Sequence, residues 1–210
     1  MKVRSFFFAS LVLVTTACHK GEVIDGGVYI TRNTCPQVGI PAATGDITLF
    51  NPAGSTDASA IDVVATITNV RATCTQSASE LISTARFDVF ATRRDVAAPR
   101  TVTLQYFDVA MQGGDRVVAK RLGTVALNFA AGSQRASTSS EATIRVSRAA
   151  TSLPEDVRDR LTRPRKAGEV DAAIDPMTDP TVRAAVARAT FEQLIGFQLT
   201  QDQLRYNATR

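Results

Sequence analysis

The sequence predicts a mainly β domain: a single antiparallel β-sandwich of immunoglobulin-like architecture, with about seven strands and a helical insertion before the last of them. Three observations predict it. Runs rich in Val, Ile, Thr and Phe recur at a spacing of roughly 10 to 15 residues, divided by clusters of Gly, Pro, Asn, Asp and Ser. Several runs alternate apolar with polar residues, as a strand with one buried face must. Between 152 and 190 the pattern changes to the caps and period of short helices.

In chain order, the first strand is Asp46 to Phe50, stopped by the turn cluster Asn51, Pro52, Ala53, Gly54, Ser55. The second, Ile61 to Cys74, is long enough to require a bend or bulge. In the third, Thr84 to Arg93, the residues Ala85, Phe87, Val89 and Ala91 alternate with Arg86 and Asp88, and Phe90 interrupts the alternation. Thr101 to Met111 and Val117 to Phe129 flank Gln112, Gly113, Gly114, Asp115, which predicts a hairpin whose second arm turns Val125, Leu127 and Phe129 to one face. Gly132 to Ser140 reads as a polar loop, and Ala142, Ile144 and Val146 as a half-buried strand.

Ser152 is placed to cap a helix with Pro154 and Glu155 in its first turn, running toward Leu161 before Pro164. Asp179 caps a second helix through Ala189, with Pro180 in the first turn and Val182, Ala185, Val186 and Ala189 on one face. Phe191 to Leu199 returns to strand. Thr200 then caps a short helical turn through Gln203, Leu204 and Tyr206, and Leu204 and Tyr206 are expected to cover the end of the sandwich.

The N-terminus carries a separate message. Lys2 and Arg4 precede the uncharged run Phe6, Phe7, Phe8, Ala9, Ser10, Leu11, Val12, Leu13, Val14, the charged start and short apolar core of an export signal. A spanning helix needs about 20 apolar residues, so this run is too short for a permanent anchor. Thr15, Thr16, Ala17, Cys18 resembles the lipobox of bacterial prolipoproteins, with Thr15 where that pattern favours Leu. The resemblance implies a signal peptide over 1–17 and a Cys18 that receives diacylglyceryl and palmitate-type acyl chains, followed by a flexible tether over 18–34 and the domain over 35–210. His19, rather than Asp, follows the cysteine, which by the same resemblance implies the periplasmic face of the outer membrane. The alternative is an ordinary secretory signal cut near Ala17 that leaves Cys18 a plain thiol.

Without residues 1–17 the chain has 22 Lys and Arg against 20 Asp and Glu, a net charge of +2. So small an excess makes a weak field, and with export it removes nucleic acid from the expected partners. The remaining cysteines, Cys35 and Cys74, read as one disulfide in an exported chain; closing that loop stabilises by up to about 4 kcal/mol in the chain-entropy model.

No chemistry declares itself. The sole histidine is His19, so the domain lacks the base of a Ser-His-Asp triad and the imidazoles of common zinc or copper sites. Neither a catalytic residue, a metal site nor a cofactor is predicted. Lys120 and Lys166 are poor candidates for a Ser-Lys dyad, the first in a strand beside Arg121 and the second among solvated cations. Asp171, Asp175 and Asp179 are spaced too loosely for a calcium loop and read as caps or solvated positions. The most distinct surface feature is the cationic segment Arg158, Arg160, Arg163, Arg165, Lys166, a candidate contact for anionic lipid or lipopolysaccharide phosphates. Interleaved Glu155, Asp156 and Asp159 favour the plainer reading of a solvated helix with local charge pairs.

The C-terminal stretch Ile195, Gly196, Phe197, Gln198, Leu199, Thr200, Gln201, Asp202, Gln203, Leu204, Arg205, Tyr206, Asn207 resembles the tail of a group of uncharacterised proteobacterial envelope lipoproteins, with Thr34, Cys35, Pro36 as a second point of likeness. The resemblance implies the location and fold and names no catalytic residue. The expectation is a non-enzymatic, membrane-anchored periplasmic lipoprotein that binds an envelope protein, a peptidoglycan strand or a lipid. The alternatives are an enzyme acting on an envelope polymer and a purely structural spacer. A cleft with two perturbed carboxylates would favour the enzyme; an uncovered sheet edge or a large apolar patch would favour the binder.

Overall fold

Among the described residues eight strands form two facing sheets: β1 (Gln37–Gly39), β2 (Asp46–Phe50), β3 (Ile61–Gln76), β4 (Glu80–Arg93), β5 (Arg100–Gln112), β6 (Arg116–Phe129), β7 (Arg135–Ser147) and β8 (Phe191–Phe197). The computed structural model describes residues 34–164, 168 and 173–209; the segment expected to be an export signal, Cys18, His19, the rest of the expected tether up to 33, Arg165, Lys166 and Asp171 lie outside the described residues. One sheet has the order β1-β8-β5-β6 and the other β2-β3-β4-β7. Every pairing is antiparallel except β1 with β8. The β-sandwich expected from strand spacing is the architecture observed.

Alternation explains why the sheets stack. In β4 the residues Leu81, Ser83, Ala85, Phe87, Val89, Ala91 and Arg93 are buried at every second position, because successive side chains point to opposite faces. Phe90 does not interrupt that pattern: it stands on the outer face, 54% exposed. Val102, Leu104 and Tyr106 of β5, Val125, Leu127 and Phe129 of β6, and Ile195 and Phe197 of β8 meet Val63, Ala65 and Ile67 of β3 and Ala85, Phe87, Val89 and Ala91 of β4 in one core. The Phe87 and Tyr106 rings meet edge to face across the two sheets, with centroids 5.1 Å apart, a favoured aromatic geometry.

The bend demanded of the long second strand is present. Register slips between Thr68 and Arg71, the mark of a bulge, with Asn69 in the left-handed region at φ 55°. The predicted hairpin joins β5 to β6 through Gly113 and Gly114 at φ 72° and 86°, values glycine adopts without a Cβ penalty. Two further glycines are covered by successive aromatics of β5. A Cβ on Gly123 would come within 2.3 Å of the Tyr106 ring, and one on Gly196 within 2.6 Å of Phe107. Each aromatic is the cross-strand partner of the glycine it covers.

The differences from expectation have physical causes. β1 is three residues long, too short to show a period, and is held by its ladder with β8. β4 begins at Glu80, four residues before Thr84, and β7 begins at Arg135, inside the segment read as a loop to Ser140. The first half of β7 is polar because it buries little, yet every residue from Arg135 to Ser140 pairs with β4. β8 ends at Phe197, although Leu199 still packs on the core.

Among the described residues three α-helices complete the fold: α1 (Glu155–Thr162), α2 (Pro180–Arg188) and α3 (Gln201–Thr209). Ser152 does not cap α1. Its hydroxyl donates to the Arg148 carbonyl, and Pro154 occupies the cap without a side-chain bond. Asp179 caps α2 as predicted, accepting from the Thr181 N–H at 2.7 Å. Thr200 and Gln203 cap α3 reciprocally: the Gln203 N–H donates to Thr200 Oγ1 and the Thr200 N–H to Gln203 Oε1, a capping box. Tyr206 then packs edge-on against Phe50 at 5.2 Å, while Leu204, expected to cover the sandwich, is 42% exposed. The disulfide Cys35–Cys74 closes a loop of 39 residues and ties the start of the described chain to the end of β3.

Candidate functional site

The helical insertion is where the sequence places its candidate cations, and its apolar side decides what they surround. α1 and α2 are too short to bury themselves, and they share a small core of Val157, Val182 and Ala185 that is separate from the sandwich. Leu153, Leu161, Met177 and Val186 surround that core half-buried. All four line a hollow of about 650 Å³. The opposite wall comes from the end of the sandwich, where Gln76 Nε2 donates to Thr34 Oγ1 beside the disulfide. Arg148 and Arg158 stand at this hollow, and no carboxylate is among its described lining residues.

The cationic segment divides in the structure. Arg158 lines the hollow and has exposed pairings with Glu155 at 3.4 Å and Asp159 at 3.8 Å. Arg160 turns away to bond Asp179 at 2.5 Å; that guanidinium, with the Thr181 N–H, holds the Asp179 carboxyl below the usual range. Arg163 is exposed just past the end of α1. Arg165 and Lys166 lie outside the described residues. Asp175 caps a 3-10 turn by accepting from the Met177 N–H, so Asp175 and Asp179 are helix caps.

A second surface lies on the sheet edge. β6 is the last strand of its sheet, paired only with β5. From Arg116 to Leu122 every residue is exposed on both faces, including Val117 at 55%, Val118 at 45% and Leu122 at 58%. The same stretch holds Arg116, Lys120 and Arg121 and no acid. Such an edge presents unpaired backbone groups and side chains together.

The carboxylates do not form a catalytic pair. Asp88 and Glu141 border a polar hollow at the β3 bulge. Hydrogen bonds from Asn69 and Ser139 keep the Asp88 carboxyl low, so it is not held protonated to act as an acid, and Glu141 pairs with Arg86. Asp108 is the one acid among the described residues pushed upward, by burial. It is 4% exposed inside the sandwich, where Gln193 Nε2 donates to it at 2.9 Å. Gln193 also donates to the Ala142 carbonyl and accepts from Ser83 Oγ, joining the two sheets through a buried polar chain. Among the described residues no group of three His, Cys, Asp or Glu could hold a metal ion, and no helix is long and apolar enough to cross a membrane.

The chain matches no family model, no curated protein and no solved structure.

Sequence reasoning missed most of these positions. Arg148, Gln76 and Thr34 join the hollow only because the disulfide and the 3-10 turn Arg148–Thr151 bring the sandwich end against the insertion. Lys120, weighed as a catalytic amine, instead stands over the Phe107 ring at 5.7 Å, a cation–π contact.

Proposed function

We propose that this protein is a non-enzymatic binding module of the bacterial cell envelope, tethered through an acylated Cys18 to the periplasmic face of the outer membrane. The export signal and the lipobox-like Thr15 to Cys18 support the tether, and the C-terminal tail resemblance points the same way. The Cys35–Cys74 disulfide fits an oxidising compartment.

One observation carries the binding role: the uncovered β6 edge between Arg116 and Leu122, with Val117, Val118 and Leu122 exposed. A long exposed edge would promote aggregation unless guarded, and here the register slip between Ala110 and Met111 puts a bulge in β6 between Val117 and Ala119. The interspersed Arg116, Lys120 and Arg121 resist self-pairing, since like charges set opposite one another destabilise a ladder. What remains favourable is a partner's extended segment added as a further strand. An enzyme is disfavoured because the acid with a raised titration sits inside the core, while Asp175 and Asp179 serve as caps and Glu141 is paired with Arg86.

The test uses a photoreactive residue at Val118 in intact cells, with one at exposed Thr73 on the other sheet as control. The expected result is a discrete adduct at Val118, absent at Thr73 and lost when Leu122→Glu is added. Equal adducts at both positions, or none at Val118, refute the edge as the binding surface. Labelling with radioactive palmitate, abolished by Cys18→Ser, is expected for the anchor; an unlabelled protein refutes it.

A further inference from the structure

The hollow between the helical insertion and the sandwich end has the composition of a ligand site. Small-molecule pockets span about 300–1,000 Å³, are mostly apolar and carry a few polar groups that fix orientation. This one measures about 650 Å³. Its floor is aliphatic: Leu153, Leu161, Met177 and Val186 each lie half-buried against the insertion's own small core. The side chains are too numerous on one hollow to be scattered surface apolars, which need no explanation when single.

Its polar groups have one sign. Among the described lining residues Arg148 and Arg158 are the charged ones. The hydroxyls of Thr151, Ser152 and Thr162 already donate to the carbonyls of Arg148, Arg148 and Arg158 respectively. On the sandwich side Gln76 donates to Thr34, so the guanidinium groups are the charged donors left to orient a ligand. Arg148 has a single 3.2 Å bond to the Ser77 carbonyl. The exposed pairs of Arg158 with Glu155 and Asp159 are long and of the kind that contributes little. Either guanidinium can exchange those contacts for a shorter, charge-assisted bond to an anion.

From this combination we propose that the hollow binds a single-chain anionic amphiphile, its acyl chain against Leu153, Leu161, Met177 and Val186 and its carboxylate or phosphate head on Arg148 and Arg158. A neutral head would offer the guanidinium groups no stronger partner than the long, exposed contacts they already hold, so the site discriminates by head charge at equal chain length. The hollow and the β6 edge are built from different elements, and each proposal stands without the other.

The experiment titrates laurate, dodecyl phosphate and dodecyl maltoside, each below its micelle concentration, into the exported full chain carrying Cys18→Ser, followed by calorimetry. Laurate and dodecyl phosphate are expected to bind with one site per chain, at least tenfold tighter than dodecyl maltoside. A clear preference between the two anions assigns the head as carboxylate or as phosphate. Arg148→Gln with Arg158→Gln should weaken both anions at least tenfold and leave the maltoside unchanged. Val186→Trp, which fills the hollow, should abolish binding of all three, with thermal melting of each variant confirming that it folds. Equal binding of the neutral and anionic probes overturns the proposal, as does binding that survives Val186→Trp, or no binding at all. If the acylated chain with Cys18 intact refuses laurate while the Cys18→Ser chain takes it, the site belongs to the protein's own acyl group, and the proposal of a separate ligand is overturned.

Discussion

Replacing Gln193 by Leu tests whether the buried polar chain holds the two sheets together. Gln193 is fully buried and donates to Asp108 at 2.9 Å and to the Ala142 carbonyl at 3.1 Å, while accepting from Ser83 at 2.8 Å. Leucine fills a similar volume, so the cavity term is small and the loss comes from three polar groups left without this partner. At about 1–3 kcal/mol for each orphaned buried group, and with the Ser83 hydroxyl free to turn, the sum is about 4 kcal/mol. With a urea slope of about 2 kcal/mol/M, the unfolding midpoint should fall by about 2 M. Far-ultraviolet circular dichroism follows the transition, since the chain has no Trp. The double variant with Ser83→Ala sharpens the test. Ser83→Ala should cost about 1 kcal/mol alone and nothing in the Gln193→Leu background, because it then removes an orphaned hydroxyl. A loss below about 1 kcal/mol for Gln193→Leu, or the same cost of Ser83→Ala in both backgrounds, refutes the reasoning.

Three further outcomes follow from the same interior. Burial raises the Asp108 carboxyl above its ordinary value, so the folded state binds the proton more tightly than the unfolded chain, and stability falls as pH rises through that raised value. Asp108→Asn should therefore be the more stable form near neutral pH, and its advantage should vanish on acidification toward the ordinary carboxylate range; an advantage constant across the acid limb counts against the assignment. Arg93 is 2% exposed and donates to the carbonyls of Ser133, Ala98 and Ala130, with its guanidinium over the Phe129 ring at 5.0 Å. Arg93→Met orphans those carbonyls and should cost about 3 kcal/mol, measured by the same urea transition. The pair Cys35→Ala and Cys74→Ala should lose about 4 kcal/mol by the entropy of a 39-residue loop; a change below about 1 kcal/mol in the unfolding midpoint analysis would show that the loop is already ordered in the unfolded chain.

Period-2 runs such as Ala85 to Ala91 and Val125 to Phe129 were readable as strands because each writes its buried face into local spacing. Asp179 at α2 and Thr200 at α3 were readable because a cap acts within one turn. The polar half of β7 and the three residues of β1 were not, since what holds them is a ladder with residues far along the chain. Arg158 was visible as a cation, yet nothing near it in sequence announces that Arg148, Gln76 and Thr34 share its hollow. Val117, Val118 and Leu122 read as ordinary strand residues, and only the order β1-β8-β5-β6 leaves them on an open edge.

By itself, then, the sequence determined most of the secondary elements, the facing-sheet architecture and the cysteine pairing, all of which follow from periodicity, turn chemistry and the count of thiols. Tertiary structure decided which strand has no neighbour, which acid is desolvated beside Gln193, and which arginines meet an apolar floor. Those properties depend on distances between residues dozens of positions apart, and local patterns carry no information about such distances until the chain has closed on itself.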